Sequence, residues 1–280
     1  MATHLSTIET IYDQRAPNYD NEDNFHSLQQ ADYVKWMKLS PGLKVLDLAC
    51  GTGGITIPAK RAVGPSGKVV GVDISSASLA IAREKVQNDG LDITFIHHDI
   101  SDLGGIDGVS NGEFDVITCA AAFVLLEHPE AAVRNWMQLL KVGGRVIIDV
   151  LTENTMVAGY LMDAVAKEMG IPLVYDRTRF DSLEKVQKLL RDAGLDGSES
   201  FLCESYEETD LLADKAGETF DRLVEKGGWA EAVYTGFKDP IVRTAARGRF
   251  CDKMKGRANT DGKIQEQTQF FIGIGRKPSN

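Results

Sequence analysis

The stretch Val45-Leu46-Asp47-Leu48-Ala49-Cys50-Gly51-Thr52-Gly53-Gly54, with an acid at Asp73 20 residues beyond Gly53, constrains the fold more than any other feature. An apolar run of strand length enters glycines that let a ligand lie against the backbone. A helix follows, and a second apolar run ends in a carboxylate placed for ribose hydroxyls. Together these make half of a nucleoside-binding α/β unit. Asp47 stands four residues ahead of Gly51, inside the first strand, and the turn is Gly-Thr-Gly-Gly rather than the full G-x-G-x-x-G. An anionic Asp47 facing the crevice repels a pyrophosphate and suits a nucleoside carrying an amine and a sulfonium cation. Asp47 also has the chemistry of a helix cap, and the two roles are compatible.

Strand and helix signals alternate from 41 to 150, which predicts a parallel sheet with helices on both faces. Strands are expected over 44–48, 69–72, 93–96, 114–119 and 145–150. Helices are expected from 55 to 63, from a Ser75/Ser76 cap to Asn88 with Gly90 closing it, and over 129–140. Pro58 falls near a first helical turn, where a missing amide hydrogen costs little. Further on, a helix is predicted over 183–193, a strand over 199–206 and a last strand over 264–276. Between them, 207–256 is charged and helical in period.

With 41 acidic against 31 basic residues, the formal charge is -10 and the pI about 5.1. Nucleic-acid binding needs a basic footprint, and none shows at the level of the chain. Cys50, Cys119, Cys203 and Cys251 follow no metal-ligand or disulfide spacing, so reduced thiols and a cytoplasmic setting are expected. The polar start MATHLSTIET has no apolar core of a signal peptide. The longest apolar run, 119–126, is too short to span a bilayer.

Four further motifs, in order, join the glycine turn. These are Tyr12-Asp13-Gln14-Arg15-Ala16-Pro17-Asn18-Tyr19-Asp20, Val69-Val70-Gly71-Val72-Asp73-Ile74-Ser75, His98-Asp99-Ile100 and Leu139-Leu140-Lys141-Val142-Gly143-Gly144. On these residues the chain resembles class I S-adenosylmethionine-dependent methyltransferases, and among them the ubiquinone/menaquinone-biosynthesis type. The resemblance implies a Rossmann-like seven-stranded sheet with helices on both faces, an N-terminal lid and a mainly helical insertion before the last strand. One domain is expected: lid 1–40, cofactor-binding core 41–150, the rest of the sheet 151–206, a helical insertion on the substrate side 207–262 and the last strand 263–280. S-adenosylmethionine is the implied cofactor. Its implied contacts are Tyr12 and Tyr19 from the lid, Asp47, Ala49, Gly51, Thr52 and Gly53 at the turn, Asp73 and Ile74 at the ribose, Asp99 and Ile100 at the adenine, and Ala120 after the fourth strand. Val142 replaces the usual proline of the last motif, which touches the turn and not the site.

Methyl transfer is an in-line displacement at a carbon activated by its sulfonium leaving group, so alignment and exclusion of water carry most of the work. After the fourth strand the chain reads Phe123-Val124-Leu125-Leu126-Glu127-His128, where many relatives place polar groups or a histidine. Apolar residues there remove the obvious base and point to a small, partly apolar metabolite as acceptor. His128 and His26 are the remaining candidates for a base. Phe123, Trp229, Tyr234 and Phe237 are candidates for the acceptor pocket, with core packing as their other reading. His97 and His98 are adjacent at a strand end and point to opposite faces, so no metal site is expected. Two rivals stay open: a fold member that binds the cofactor without methylating, as a pericyclic or isomerising catalyst or a regulator, and a nicotinamide-dependent oxidoreductase. The acceptor atom and the oligomeric state are not legible.

Overall fold

In a computed structural model of the chain, residues 3–21, 26–203, 208–225 and 228–279 are described. Helix α1 (His4–Arg15) opens on Thr3, whose hydroxyl accepts the Ser6 amide hydrogen at 3.1 Å, and buries Ile8 and Ile11. A 3-10 turn, Ala16–Asn21, and α2 (His26–Met37) lead to β1 (Lys44–Leu48). Then come α3 (Thr56–Val63), β2 (Lys68–Asp73), α4 (Ser76–Asp89), β3 (Thr94–His97) and β4 (Phe114–Cys119). The Ser75 hydroxyl caps α4 and Gly90 closes it in the left-handed region, as the sequence predicts. A 3-10 turn at Phe123–Leu125, α5 (Pro129–Leu139) and β5 (Leu140–Leu151) follow. Beyond them lie α6 (Val157–Glu168), α7 (Leu183–Asp192), β6 (Phe201–Cys203), β7 (Glu208–Leu212), α8 (Ala216–Glu225), α9 (Gly228–Val233), α10 (Pro240–Arg257), β8 (Lys263–Gln267) and β9 (Phe270–Arg276).

Seven strands form one sheet in the order β3-β2-β1-β4-β5-β9-β6, and β1 to β5 pair in parallel. The inner strands are covered on both faces, which is why they read as unbroken apolar runs: Val45, Leu46, Leu48, Val70, Val72, Ile117, Ile147 and Ile148 are fully buried. The strand order reverses between β1 and β4, and such a switch point leaves a crevice at the strands' carboxyl ends. Asp47 sits in register with Gly71 on one side and Thr118 on the other.

The chain divides into two compact units, Met1–Val150, Ser182–Leu202 and Phe271–Asn280 in one and Leu151–Asp181 with Cys203–Phe270 in the other. The second has its own core, in which Met162, Phe220, Phe237, Phe250 and Met254 are fully buried. Residues 151–181, expected within the sheet, carry α6 instead, whose Val157, Leu161 and Val165 pack into this core. The single strand expected over 264–276 is two strands. β8 pairs antiparallel with β7, and β9 joins the large sheet. Thr155 explains the break: its hydroxyl donates to the carbonyls of Gln267 and Gln269 and accepts the Gln269 amide hydrogen at 2.8 Å, fixing a corner between the strands. The strand expected over 199–206 is described only as β6, since 204–206 lie outside the described residues.

Candidate functional site

A cavity of about 730 Å³, counted to its open mouth, lies at the carboxyl ends of β1, β2, β3 and β4. Volumes of this order hold small molecules and cofactors. Ala49 and Gly51 follow β1, Asp73 and Ile74 end β2, Asp99 and Ile100 follow β3, and Ala120, Ala121 and Ala122 follow β4. Ser78 of α4 joins them, while Leu5, Ile8 and Tyr12 of α1, Tyr19, and Leu125 and Leu126 close the other side. Nine of the residues expected at the cofactor therefore share one cavity: Tyr12, Tyr19, Ala49, Gly51, Asp73, Ile74, Asp99, Ile100 and Ala120.

Two carboxylates organise the floor. Asp73 is 6% exposed; its Oδ2 accepts the Gly51 amide hydrogen at 2.7 Å and its Oδ1 that of Ser75, also at 2.7 Å. Gly51 takes a φ of 53°, which brings its backbone round to the carboxylate without the steric penalty of a side chain. Burial pushes the Asp73 carboxyl upward, against the pull of these amide donors. Asp47 is 1% exposed and accepts hydrogen bonds from the hydroxyls of Thr56 and Thr118, the latter at 2.8 Å. Thr56 is the first residue of α3, so Asp47 serves the helix start as well as the crevice. Its carboxyl is pushed up to about 6 by burial, with the two threonines opposing the shift and Asp73 adding to it.

Asp47 and Thr52 line a second, smaller and more polar cavity together with Gln29, Gln30, Cys50, Gly54 and Ile55. Tyr19, Ala49, Gly51, Ala120 and Ala121 line both cavities, which are therefore adjacent. Ala49 and Ala121 have φ of 54° and 53°, rare for residues with a Cβ and typical of functional corners. The buried Asp149 carboxylate accepts the Ala121 amide hydrogen at 2.8 Å and a hydrogen bond from the Tyr33 hydroxyl, which holds that corner.

The lid expected from the first 40 residues is tied down by groups the sequence reading did not assign. Asp13 Oδ1 accepts the Ser75 hydroxyl at 2.7 Å and the Ala77 amide hydrogen at 3.1 Å, at the start of α4. Asp20 accepts from the Thr52 hydroxyl at 2.6 Å and from Lys85 Nζ at 2.7 Å. His4 Nε2 lies 2.9 Å from the Leu125 carbonyl oxygen. In the motif Tyr-Asp-x-x-Ala-x-x-Tyr-Asp the acids fasten the segment and the tyrosines face the cavity. Arg15 packs over both rings, 5.4 and 5.1 Å from their centroids. The signal for the acids was in the motif, but their partners are tens of residues away in sequence.

Other expected residues stand elsewhere. Gly53, with a φ of 90°, lines neither cavity, and a Cβ there would meet Ile57 Cδ1 at 3.0 Å. Phe123 is 1% exposed and meets Trp136 edge-on, inside the core rather than on the cavity wall. Tyr234 and Phe237 are buried in the second unit's core, where Tyr234 donates to Asp163 at 3.0 Å. That unit also buries the Asp163–Arg177 ion pair at 2.8 Å. His128 is exposed at the start of α5 and lines neither cavity. The side chains of His26 and Trp229 lie outside the described residues. Among the described residues no cluster of three or more metal-ligating side chains occurs, and no helix is long and apolar enough to cross a membrane. Cys50, Cys119 and Cys203 are buried and Cys251 is half-buried.

Residues 45–144, the stretch from β1 through the turn in β5, match the methyltransferase domain. The chain is 30% identical over 242 residues to the ubiquinone/menaquinone biosynthesis C-methyltransferase of Idiomarina loihiensis, covering 84% of this chain and 87% of that one. It is 29% identical over 205 residues to the protein of the same name from Shewanella pealeana, with 72% of each covered. Among solved structures, phosphoethanolamine N-methyltransferase 2 of Haemonchus contortus, in complex with phosphomonomethylethanolamine and S-adenosylhomocysteine, superposes with a TM-score of 0.59 at 17% identity. The match covers 100% of this chain and 61% of that one. The glycine turn, the acid ending β2 and the fastened N-terminal motif are thus those of a known group: the chain belongs to the class I S-adenosylmethionine-dependent methyltransferases, with the ubiquinone/menaquinone-biosynthesis C-methyltransferases, and its cofactor is S-adenosylmethionine.

Proposed function

We propose that this enzyme methylates a small, partly apolar metabolite held under α1 against Leu5, Ile8, Leu125 and Leu126. The observation that carries the proposal is the make-up of the larger cavity. Among the described residues its ionisable lining side chains are Tyr12, Tyr19, Asp73 and Asp99, all near the strand ends or the tyrosine motif, and apart from Ser78 the remaining wall side chains are apolar. The cofactor supplies a methyl on a sulfonium centre; the chain aligns the two reactants and keeps water out. Asp73 is placed to take ribose hydroxyls, with Gly51 and Ser75 fixing its orientation. Asp99, itself held by the Ser101 amide at 2.9 Å, and Ile100, whose carbonyl accepts the Trp136 indole hydrogen at 2.7 Å, are placed for the adenine. Ala49, Ile74 and Ala120 supply close, small walls. The polar second cavity, with Asp47 and Thr52, suits the amino-acid end of the cofactor.

No protein nucleophile is needed, and holding two reactants in line supplies on the order of 7–11 kcal/mol of a barrier. The test is mass spectrometry of apolar metabolite extracts incubated with enzyme and a methyl-labelled cofactor. A labelled product is expected, and Leu125→Gln should raise the acceptor KM about tenfold while leaving S-adenosylhomocysteine affinity unchanged. Cofactor binding with no labelled product from any extract would instead favour the non-methylating reading, and among the described residues no histidine or lysine lines the wall.

The pH dependence has a definite sign. With its carboxyl at about 6 in the fold against 3.8 unfolded, Asp47 keeps its proton more tightly in the native state. Its contribution to stability is therefore fully present below pH 3.8 and is lost as pH rises through about 6, a change of about 3 kcal/mol. A sulfonium ligand prefers the ionised form. The ratio of S-adenosylmethionine to S-adenosylhomocysteine affinity is thus expected to grow several-fold from pH 5 to 7 and then level off. Titration calorimetry across that range checks it, with Asp47→Asn flattening the dependence.

A further inference from the structure

His97 ends β3 in register with Asp73 of β2, and it lines neither cavity. Its Nε2 stands 2.6 Å from the Ile74 carbonyl oxygen. A carbonyl can only accept, so Nε2 carries the hydrogen and donates it. That carbonyl belongs to the same peptide unit as the Ser75 N–H, which donates to Asp73 Oδ1 at 2.7 Å. In a trans peptide the two groups point in opposite directions, and no cis bond occurs among the described residues. The Ile74–Ser75 peptide is thus gripped from both sides, by the imidazole and by the Asp73 carboxylate. We propose that His97 is a positioning residue for the cofactor: by fixing this peptide it orients Asp73 toward the ribose, and through Glu9 it couples that grip to the N-terminal helix. The inference rests on S-adenosylmethionine being the cofactor and on Asp73 meeting its ribose.

Three observations carry the coupling. Asp73 takes the Gly51 amide on one oxygen and the Ser75 amide on the other, so turning the Ile74–Ser75 peptide would release one oxygen and let the carboxylate swing. Ile74 lines the larger cavity, so the same turn would move a wall against which the ligand lies. Glu9 Oε1, on α1, stands 3.4 Å from the same Nε2, and the ring therefore spans the end of β2 and the helix that closes the cavity. The His97 and Glu9 side chains are 47% and 37% exposed, so water screens their attraction and the bond to the carbonyl is the larger contribution. A ring this exposed is no part of a core, and replacing it is expected to leave the fold intact.

The experiment compares His97→Leu, which removes the donor, with His97→Gln, which keeps an amide N–H near the place of Nε2. Calorimetry with S-adenosylhomocysteine is expected to show about a 3- to 10-fold loss for the leucine variant and a return to within about twofold of wild type for the glutamine variant. Glu9→Ala should cost about twofold in the wild-type background and nothing further beside His97→Leu, the signature of coupled groups. Ring-nitrogen NMR of the unliganded wild type, expected to show the hydrogen on Nε2, needs no variant to fold. Unchanged affinity in His97→Leu, a glutamine variant as weak as the leucine one, or a ring protonated at Nδ1 alone overturns the proposal. Failure of the wild type to bind S-adenosylhomocysteine would fell the cofactor reading and this proposal with it, an outcome distinct from failure at His97.

Discussion

Replacing Asp73 by alanine is expected to weaken both S-adenosylmethionine and S-adenosylhomocysteine by on the order of 10²–10⁴-fold in titration calorimetry. A pair of charge-assisted hydrogen bonds to ribose hydroxyls is worth about 1.5–3 kcal/mol each, and both vanish with the carboxylate. The loss extends to the backbone, because the amides of Gly51 and Ser75 lose the acceptor that now holds them at 2.7 Å. Both ligands should suffer alike, since the ribose is common to them. The melting temperature of the unliganded protein should fall little: burial raises the Asp73 carboxyl, so the folded state bears a cost for this charge that the alanine removes. An unchanged affinity would sink the assignment of Asp73 to the ribose.

Releasing the N-terminal helix should have the next largest effect. Asp13→Ala removes the acceptor for both the Ser75 hydroxyl and the Ala77 amide, and a lost cap of this kind costs about 1 kcal/mol locally. Asp20→Ala removes the acceptor of one hydroxyl, that of Thr52, worth about 1 kcal/mol, and an ion pair with Lys85 in which both side chains are more than a third exposed and which contributes little. The two aspartates occupy similar places in the motif, yet the first should matter more. For Asp13→Ala the expectation is about tenfold weaker cofactor binding with faster amide exchange along α1. For Asp20→Ala it is a change of a few-fold at most. Equal effects, or protection of α1 unchanged in both variants, would show that the helix is held by its buried Ile8 and Ile11 rather than by the acids.

The parts of this molecule that were readable in the sequence are those set by local rules. Strands β1 to β4 and helices α4, α5 and α7 follow from period, caps and turn residues, and the glycine turn with Asp73 announces a nucleoside site because both act within a single strand-turn-helix-strand unit. Residues 264–276 show where local reading stops. Apolar residues continue through Ile264, Phe270, Ile272 and Ile274, but the partner strand changes at Gln269, and only Thr155, more than a hundred residues earlier, fixes the corner. The same limit hides Gln29 and Gln30, which carry no periodic signal, and the link from Tyr33 to Asp149. Aromatic character alone also misleads: Phe123 and Phe237 have the chemistry of a pocket and the burial of a core. The apolar face of helix α6 sends 151–181 to the second core rather than the sheet.

The two left-handed alanines, Ala49 and Ala121, have a practical consequence for anyone diversifying this enzyme. Their backbone disfavours branched side chains and both residues line both cavities, so randomising them in a library would fill it with misfolded or blocked clones. Leu5, Leu125 and Leu126 have ordinary backbones and face the same space. If the acceptor lies where we propose, its preference can be evolved there while the two alanine corners stay fixed.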